Sequence, residues 1–105
     1  MRRVMVRYRV LPERVTEHEA LLAPVFAELA AQRPAGLEYR VLRLADGVSF
    51  MHLATLQGAD NPLLELAEFK AFTADIKARC ADGPPVTTDV TLAGAYPAGA
   101  APGLG

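Results

Sequence analysis

At 105 residues and 51% hydrophobic composition, the chain is long enough for one buried core and too apolar for disorder. A net charge of -1 supplies no electrostatic pull toward nucleic acid or an anionic membrane. The one cysteine, Cys80, cannot close an internal disulfide, and no stretch approaches the ~18 apolar residues of a membrane span. Arg7 and Arg9 interrupt the first apolar run before a signal-peptide core forms, so a cytoplasmic location is expected.

The first periodic segment, Arg3 to Leu11, alternates as a strand does. Val4, Val6, Tyr8 and Val10 fall on one face, and Met5, Arg7 and Arg9 on the other. Pro12 ends it. From Glu13 to Arg33 the spacing turns helical through Val15, His18, Leu22, Val25 or Phe26, and Leu29. Pro24 removes a backbone donor inside this run, at ~3 kcal/mol in a regular helix, which predicts a kink or break near residues 20–24. Pro34 and Gly36 stop the helix.

Leu37–Leu44 and Val48–Gln57 read as two strands joined at Asp46-Gly47, a short-range hairpin signal. The implied register pairs Val41 with His52, Tyr39 with Ala54 and Leu37 with Leu56. Paired residues share a face, so Tyr39, Val41, Phe50, His52 and Leu56 lie together, and Leu42, Leu44, Met51 and Leu53 lie opposite. Both faces are too apolar for water. Asp60-Asn61-Pro62 opens a second helix with a capping side chain and a first-turn proline. Leu63, Leu66, Phe69, Phe72, Ile76 and Cys80 form its stripe, with a separate short turn at 61–66 as an alternative start, and Asp82-Gly83-Pro84-Pro85 ends it. Val86 to Ala95 is the last strand, and the Ala/Gly/Pro stretch 97–105 is expected to be a disordered tail after a domain of residues 1–96.

The order βαββαβ describes a ferredoxin-like α+β fold: a four-stranded antiparallel sheet with both helices on one face. The aliphatic face of the first strand should meet the helices, leaving Arg7 and Arg9 on the open face. An apolar open face needs a cover, most simply a second copy of the chain.

On these residues the chain resembles the dimeric α/β-barrel superfamily, and within it the antibiotic biosynthesis monooxygenase-like group. The resemblance spans about residues 3–96. It is carried by the run Val4–Val10 with Pro12-Glu13-Arg14, by Asp46-Gly47-Val48-Ser49-Phe50, and by Glu68-Phe69-Lys70-Ala71-Phe72, similar to that group's HF-xxF segment. It implies a homodimer whose sheets pack open face to open face around a ligand cavity. It also implies that Phe50, His52, Ala54 and Leu56 point into that cavity. Several relatives carry a glutamate and a tryptophan where this chain has Ala54 and Leu56. Haem-degrading relatives use an asparagine, a tryptophan and a histidine. This chain has no tryptophan, and capping accounts for its one asparagine, Asn61.

Within that frame His52 is the candidate base, with Arg7 or Arg9 stabilising an anion, in cofactor-independent monooxygenation or isomerisation of a small aromatic or polyketide-like molecule. Tyr39, Val41, Phe50 and Leu56 would line its site. The alternative is a non-catalytic ligand-binding or interaction homodimer, with His52 a bonded core histidine and Arg7 and Arg9 paired to Asp89 or a partner's glutamate. Asp89 is also placed to orient His52 if its register allows. His18 reads as packing or solvent-exposed, and Cys80 as an inert thiol. No spacing suits a metal, and no cofactor is implied. RNA binding shares this topology, but the aromatics it needs are absent at Val48 and Leu53.

Overall fold

The structure, a computed structural model, describes residues 1–97. The tail expected over 97–105 therefore lies, beyond Pro97, outside the described residues. Strand β1 (Arg2–Val10) is followed by a short turn of helix at Pro12–Arg14 and by α1 (Val15–Gln32). Strands β2 (Leu37–Arg43) and β3 (Ser49–Leu56) form the hairpin. A helical turn at Pro62–Glu65 leads to α2 (Ala67–Ala74), α3 (Ile76–Arg79) and β4 (Cys80–Val90). The sheet order is β2-β3-β1-β4, antiparallel throughout, with β1 and β3 central. This is the expected ferredoxin-like arrangement.

The hairpin register is the one the Asp-Gly signal implied, with Val41 opposite His52 and Tyr39 opposite Ala54. Asp46 holds the turn: its carboxylate accepts from Val48 N (2.9 Å), Ser49 N (2.8 Å) and Ser49 Oγ (2.6 Å). Gly47 takes φ 78°, which a residue without Cβ adopts freely. Asn61 acts as a helix cap, its Oδ1 accepting from Leu63 N at 3.0 Å.

Three local expectations change. The first helix is neither ended nor divided at Pro24: α1 runs through it. His18 and Leu22 on one side and Val25 on the other are all buried, so packing on both sides of the proline outweighs the lost donor. The second helix is divided instead, at Asp75. The last strand begins at Cys80 rather than Val86. Residues 82–85 form a bulge, since Arg7 is opposite Val86 but Arg9 opposite Ala81. Asp82 and Gly83 take positive φ there, 60° and 103°.

Between sheet and helices lies a core of Tyr8, Val10, Leu22, Val25, Phe50 and Phe72, with Tyr39, Val41, Phe69 and Ile76 packed on it. Phe72 is 1% exposed and touches His18, His52 and the Arg79 guanidinium. Phe72→Ala should therefore lower unfolding free energy by about 3–5 kcal/mol, measured by urea denaturation.

Candidate functional site

The β1–β3 pairing decides which face carries each candidate residue. Val6 is opposite His52, and Tyr8 opposite Phe50. Since directly paired residues share a face, the inward turn of Val6 and Tyr8 carries His52 and Phe50 inward too. His52 thus faces the helices, not the open side of the sheet, and is 6% exposed. Phe50 and Leu56 are core residues at 2%. Val41 packs against the same core. None of these lines a chamber between two sheets, as the resemblance had implied.

Arg7 and Arg9 are opposite Met51 and Ser49, on the other face from His52. They border a depression of about 300 Å³ with Leu44, Met51 and Val86. Arg9 pairs with Asp82 at 2.9 Å. Asp89 pairs with Arg2 at 3.1 Å, so it does not orient His52. Within one chain the two arginines and His52 belong to different surfaces.

His52 has other partners. Its Nδ1 is 2.6 Å from Tyr39 Oη, and its Nε2 is 2.6 Å from Tyr8 Oη. Tyr8 Oη is also 2.6 Å from Nε2 of His18, which is fully buried on α1. Arg79 Nε donates to His18 Nδ1 at 3.0 Å, and Arg79 Nη2 donates to the Phe72 carbonyl at 2.6 Å. Arg79 is 1% exposed. Its guanidinium lies 5.2 Å from the Phe72 ring centroid, and the ion pairs among the described residues do not include it. One unbroken chain thus links Tyr39, His52, Tyr8, His18 and Arg79 across five elements.

Burial depresses the basicity of both imidazoles. His18 is lowered to about 4 by desolvation and then by the Arg79 charge. His52 is lowered to about 4 by desolvation and then by His18. Both are neutral at pH 7. Burial also pushes the Tyr8 and Tyr39 hydroxyls upward, so neither ionises near neutrality. Cys80, half-buried at the start of β4, has its thiol raised by burial and takes no part in the chain of contacts.

His52 and Tyr8 form the polar floor of a cleft between the sheet and α2–α3, about 310 Å³ in volume. Val6, Phe69, Phe72 and Ile76 make its walls, and Thr87 and Lys77 stand at its margin. Such a cleft suits a small, mostly apolar molecule carrying one or two polar groups. Tyr39 does not line it; its ring borders a separate hollow of about 330 Å³ with Phe26, Leu29 and Arg33. Among the described residues, no group of three His, Cys, Asp or Glu could hold a metal ion.

Sequence reasoning found His52 and Tyr39 but not the residues that continue the chain from His52 to Arg79. His18 was visible as a member of the helical stripe, with nothing to show its polar partner. Arg79 was not visible at all, because a basic residue near a helix end ordinarily faces water.

The fold is that of antibiotic biosynthesis monooxygenase-like proteins. The chain is similar to a solved structure of an antibiotic biosynthesis monooxygenase, at TM-score 0.68 and 16% identity over 88% of this chain and 98% of that one. It is similar to a provisionally named antibiotic biosynthesis monooxygenase from Nitrosomonas europaea, at TM-score 0.70 and 15% identity over 91% of each chain. It is also similar to a variant of SnoaB, a cofactor-independent oxygenase from Streptomyces nogalater. There the TM-score is 0.67 and the identity 20%, over 91% of this chain and 96% of that one. No protein-family model and no curated protein matches the chain.

The two histidines set a pH signature. Between pH 4 and 6.5 the unfolded chain binds protons that the folded chain refuses, so stability rises with pH across that window. It is complete above pH 6.5 and is lost on acidification toward pH 4, by roughly 3 kcal/mol per histidine at most. Urea midpoints should be flat above pH 7 and fall steeply below 6.5, and His52→Asn should make that fall shallower.

Proposed function

We propose that the chain binds a small, largely apolar aromatic molecule in the cleft between the sheet and α2–α3, and acts on it as a cofactor-independent oxygenase. The observation that carries this reading is a neutral, hydrogen-bonded His52–Tyr8 pair at the floor of an otherwise apolar cleft. Oxygenation of a phenol-like substrate without cofactor needs a group to take its proton, an environment that holds the anion, and exclusion of water. His52 is the base in this reading, reached through Tyr8. The buried charge of Arg79, two hydrogen bonds from Tyr8, favours the anion. The name of SnoaB, a cofactor-independent oxygenase of the same fold, points the same way.

A second reading rests on a specific observation: both nitrogens of His52 are already engaged by tyrosine hydroxyls. A pair so fully satisfied also suits a binding site without chemistry. Dithranol, a tricyclic phenol, separates the two. The oxygenase reading expects oxygen uptake in metal-free buffer, reduced on the order of 10²-fold by His52→Asn. Saturable binding without oxygen uptake selects the binding reading, and no binding in the cleft rejects both.

We also propose that the chain works as a homodimer, in the cytoplasm, where its lone free thiol would stay reduced. The open face of the sheet keeps Leu42, Leu44 and Val86 between 40% and 56% exposed, and Arg3 Nε is buried there without a partner. A second copy laid against this face would cover the apolar residues. Sedimentation at micromolar concentration should give twice the chain mass, and Leu42→Asp with Val86→Asp should yield folded monomers. A wild-type monomer would reject this assembly.

A further inference from the structure

The cleft's ligand specificity follows from which atom owns each proton in the buried chain. A guanidinium only donates, so Arg79 Nε–H requires a lone pair on His18 Nδ1. Neutral His18 then carries its proton on Nε2 and donates to Tyr8 Oη. Tyr8 in turn gives its own proton to His52 Nε2, and His52 donates from Nδ1 to Tyr39 Oη. The opposite sense would point two N–H groups at each other between Arg79 and His18. The buried cation fixes the direction of the first two of these hydrogen bonds, and keeping the Tyr8 proton within the chain of contacts fixes the other two.

From this order we infer that Arg79 and His18 are positioning residues that commit the Tyr8 proton to His52, leaving Tyr8 Oη toward the cleft only as an acceptor, so that the site selects ligands presenting a hydroxyl donor. The inference rests on the reading of this cleft as the ligand site. Tyr8 Oη takes one hydrogen bond from His18 and keeps one lone pair. A phenol can donate to that lone pair; its methyl ether cannot. The same order gives a balanced proton path. The ligand's hydroxyl proton passes to Tyr8 Oη as the Tyr8 proton passes to His52 Nε2. What remains is a ligand anion and an imidazolium that donates to Tyr8 and Tyr39.

Other groups do not impose this order on His52. Tyr8 from β1 and Tyr39 from β2 are its two hydrogen-bond partners, and Phe72 from α2 packs on it without charge. Lys77 of α3 stands at the cleft margin. Through hydrogen bonds, His18 and Arg79 reach His52 only by way of Tyr8.

With two histidines in the chain, long-range proton–nitrogen correlation spectra of the ligand-free protein at pH 7 read both tautomers directly. The expected result is Nε2–H for His18 and Nδ1–H for His52, the latter the less favoured form of free imidazole. Any other pair of tautomers overturns the lock. In Tyr8→Phe, His18 should keep its tautomer while His52 relaxes toward the free mixture; an unchanged His52 would mean that Tyr39 alone sets it, and would overturn the role of Arg79. Arg79→Met should release both histidines, and Arg79→Lys, which keeps a donor, should restore them.

Binding of beta-naphthol and its methyl ether tests the selectivity. The wild type should prefer the phenol about tenfold, as one hydrogen bond allows, and Tyr8→Phe should lose the preference. Equal binding of both overturns the acceptor assignment. If neither binds, the cleft is not the ligand site, and the spectra still decide the tautomers.

Discussion

The pairing of β1 with β3 is the constraint on which the rest of this molecule depends. Side chains on a strand alternate with a period of two, so a slip of one residue would turn His52 from the core to the open face. With Val6 opposite His52, the rings of Tyr8 and His52 sit 5.2 Å apart on the helix side. Tyr39 then reaches the second imidazole nitrogen from β2. α1 supplies His18 above Tyr8, and α3 ends with Arg79 turned inward. The contacts that His52 makes with Tyr8 and Tyr39 are available only because the two central strands are in this register.

The result is a core with a polar seam, which stability alone does not explain. A buried polar group costs free energy unless its hydrogen-bonding capacity is met, and a buried charge costs more. The seam meets those demands in turn. Imidazoles are kept neutral, phenols are kept protonated, and the guanidinium is held by a carbonyl, an imidazole and an aromatic face. Even so, well-packed apolar side chains in place of buried ionic groups are often neutral or stabilising. A seam of this length, reaching the floor of an apolar cleft, is what the proposed function would use.

The hairpin was legible because its determinants are local: Asp46 and Gly47 set the turn, and the turn sets the register. Which face of that hairpin meets the helices was not local. Leu42, Leu44, Met51 and Leu53 on one side are as apolar as Phe50 and Leu56 on the other. Only the distant pairing with β1 chooses between them, and the resemblance to dimeric barrels suggested the wrong choice. Arg79 was hidden for a related reason. A single long helix over this region would read its last-turn arginine as solvated; the break at Asp75 redirects the final turn and buries the side chain. Both errors concern orientation set by tertiary packing, while element order, sheet topology and most strand alternation were carried by short-range pattern.

The two faces of the sheet are chemically separate yet mechanically joined. Covering the open face touches Met51 and Arg7; the seam uses His52 and Tyr8, their immediate neighbours in sequence. The central strands are thus the ones that carry the hydrogen-bonded Tyr8–His52 pair and the ones a second copy would press on most directly. The bond from Tyr8 to His52 is short and its usefulness depends on position to a fraction of an ångström. Burying the opposite side chains would remove the freedom of β1 and β3 to twist against one another. In such an assembly the dimer contact need contribute no residue to the cleft in order to matter there, because it would stiffen the two strands between which the proton is held.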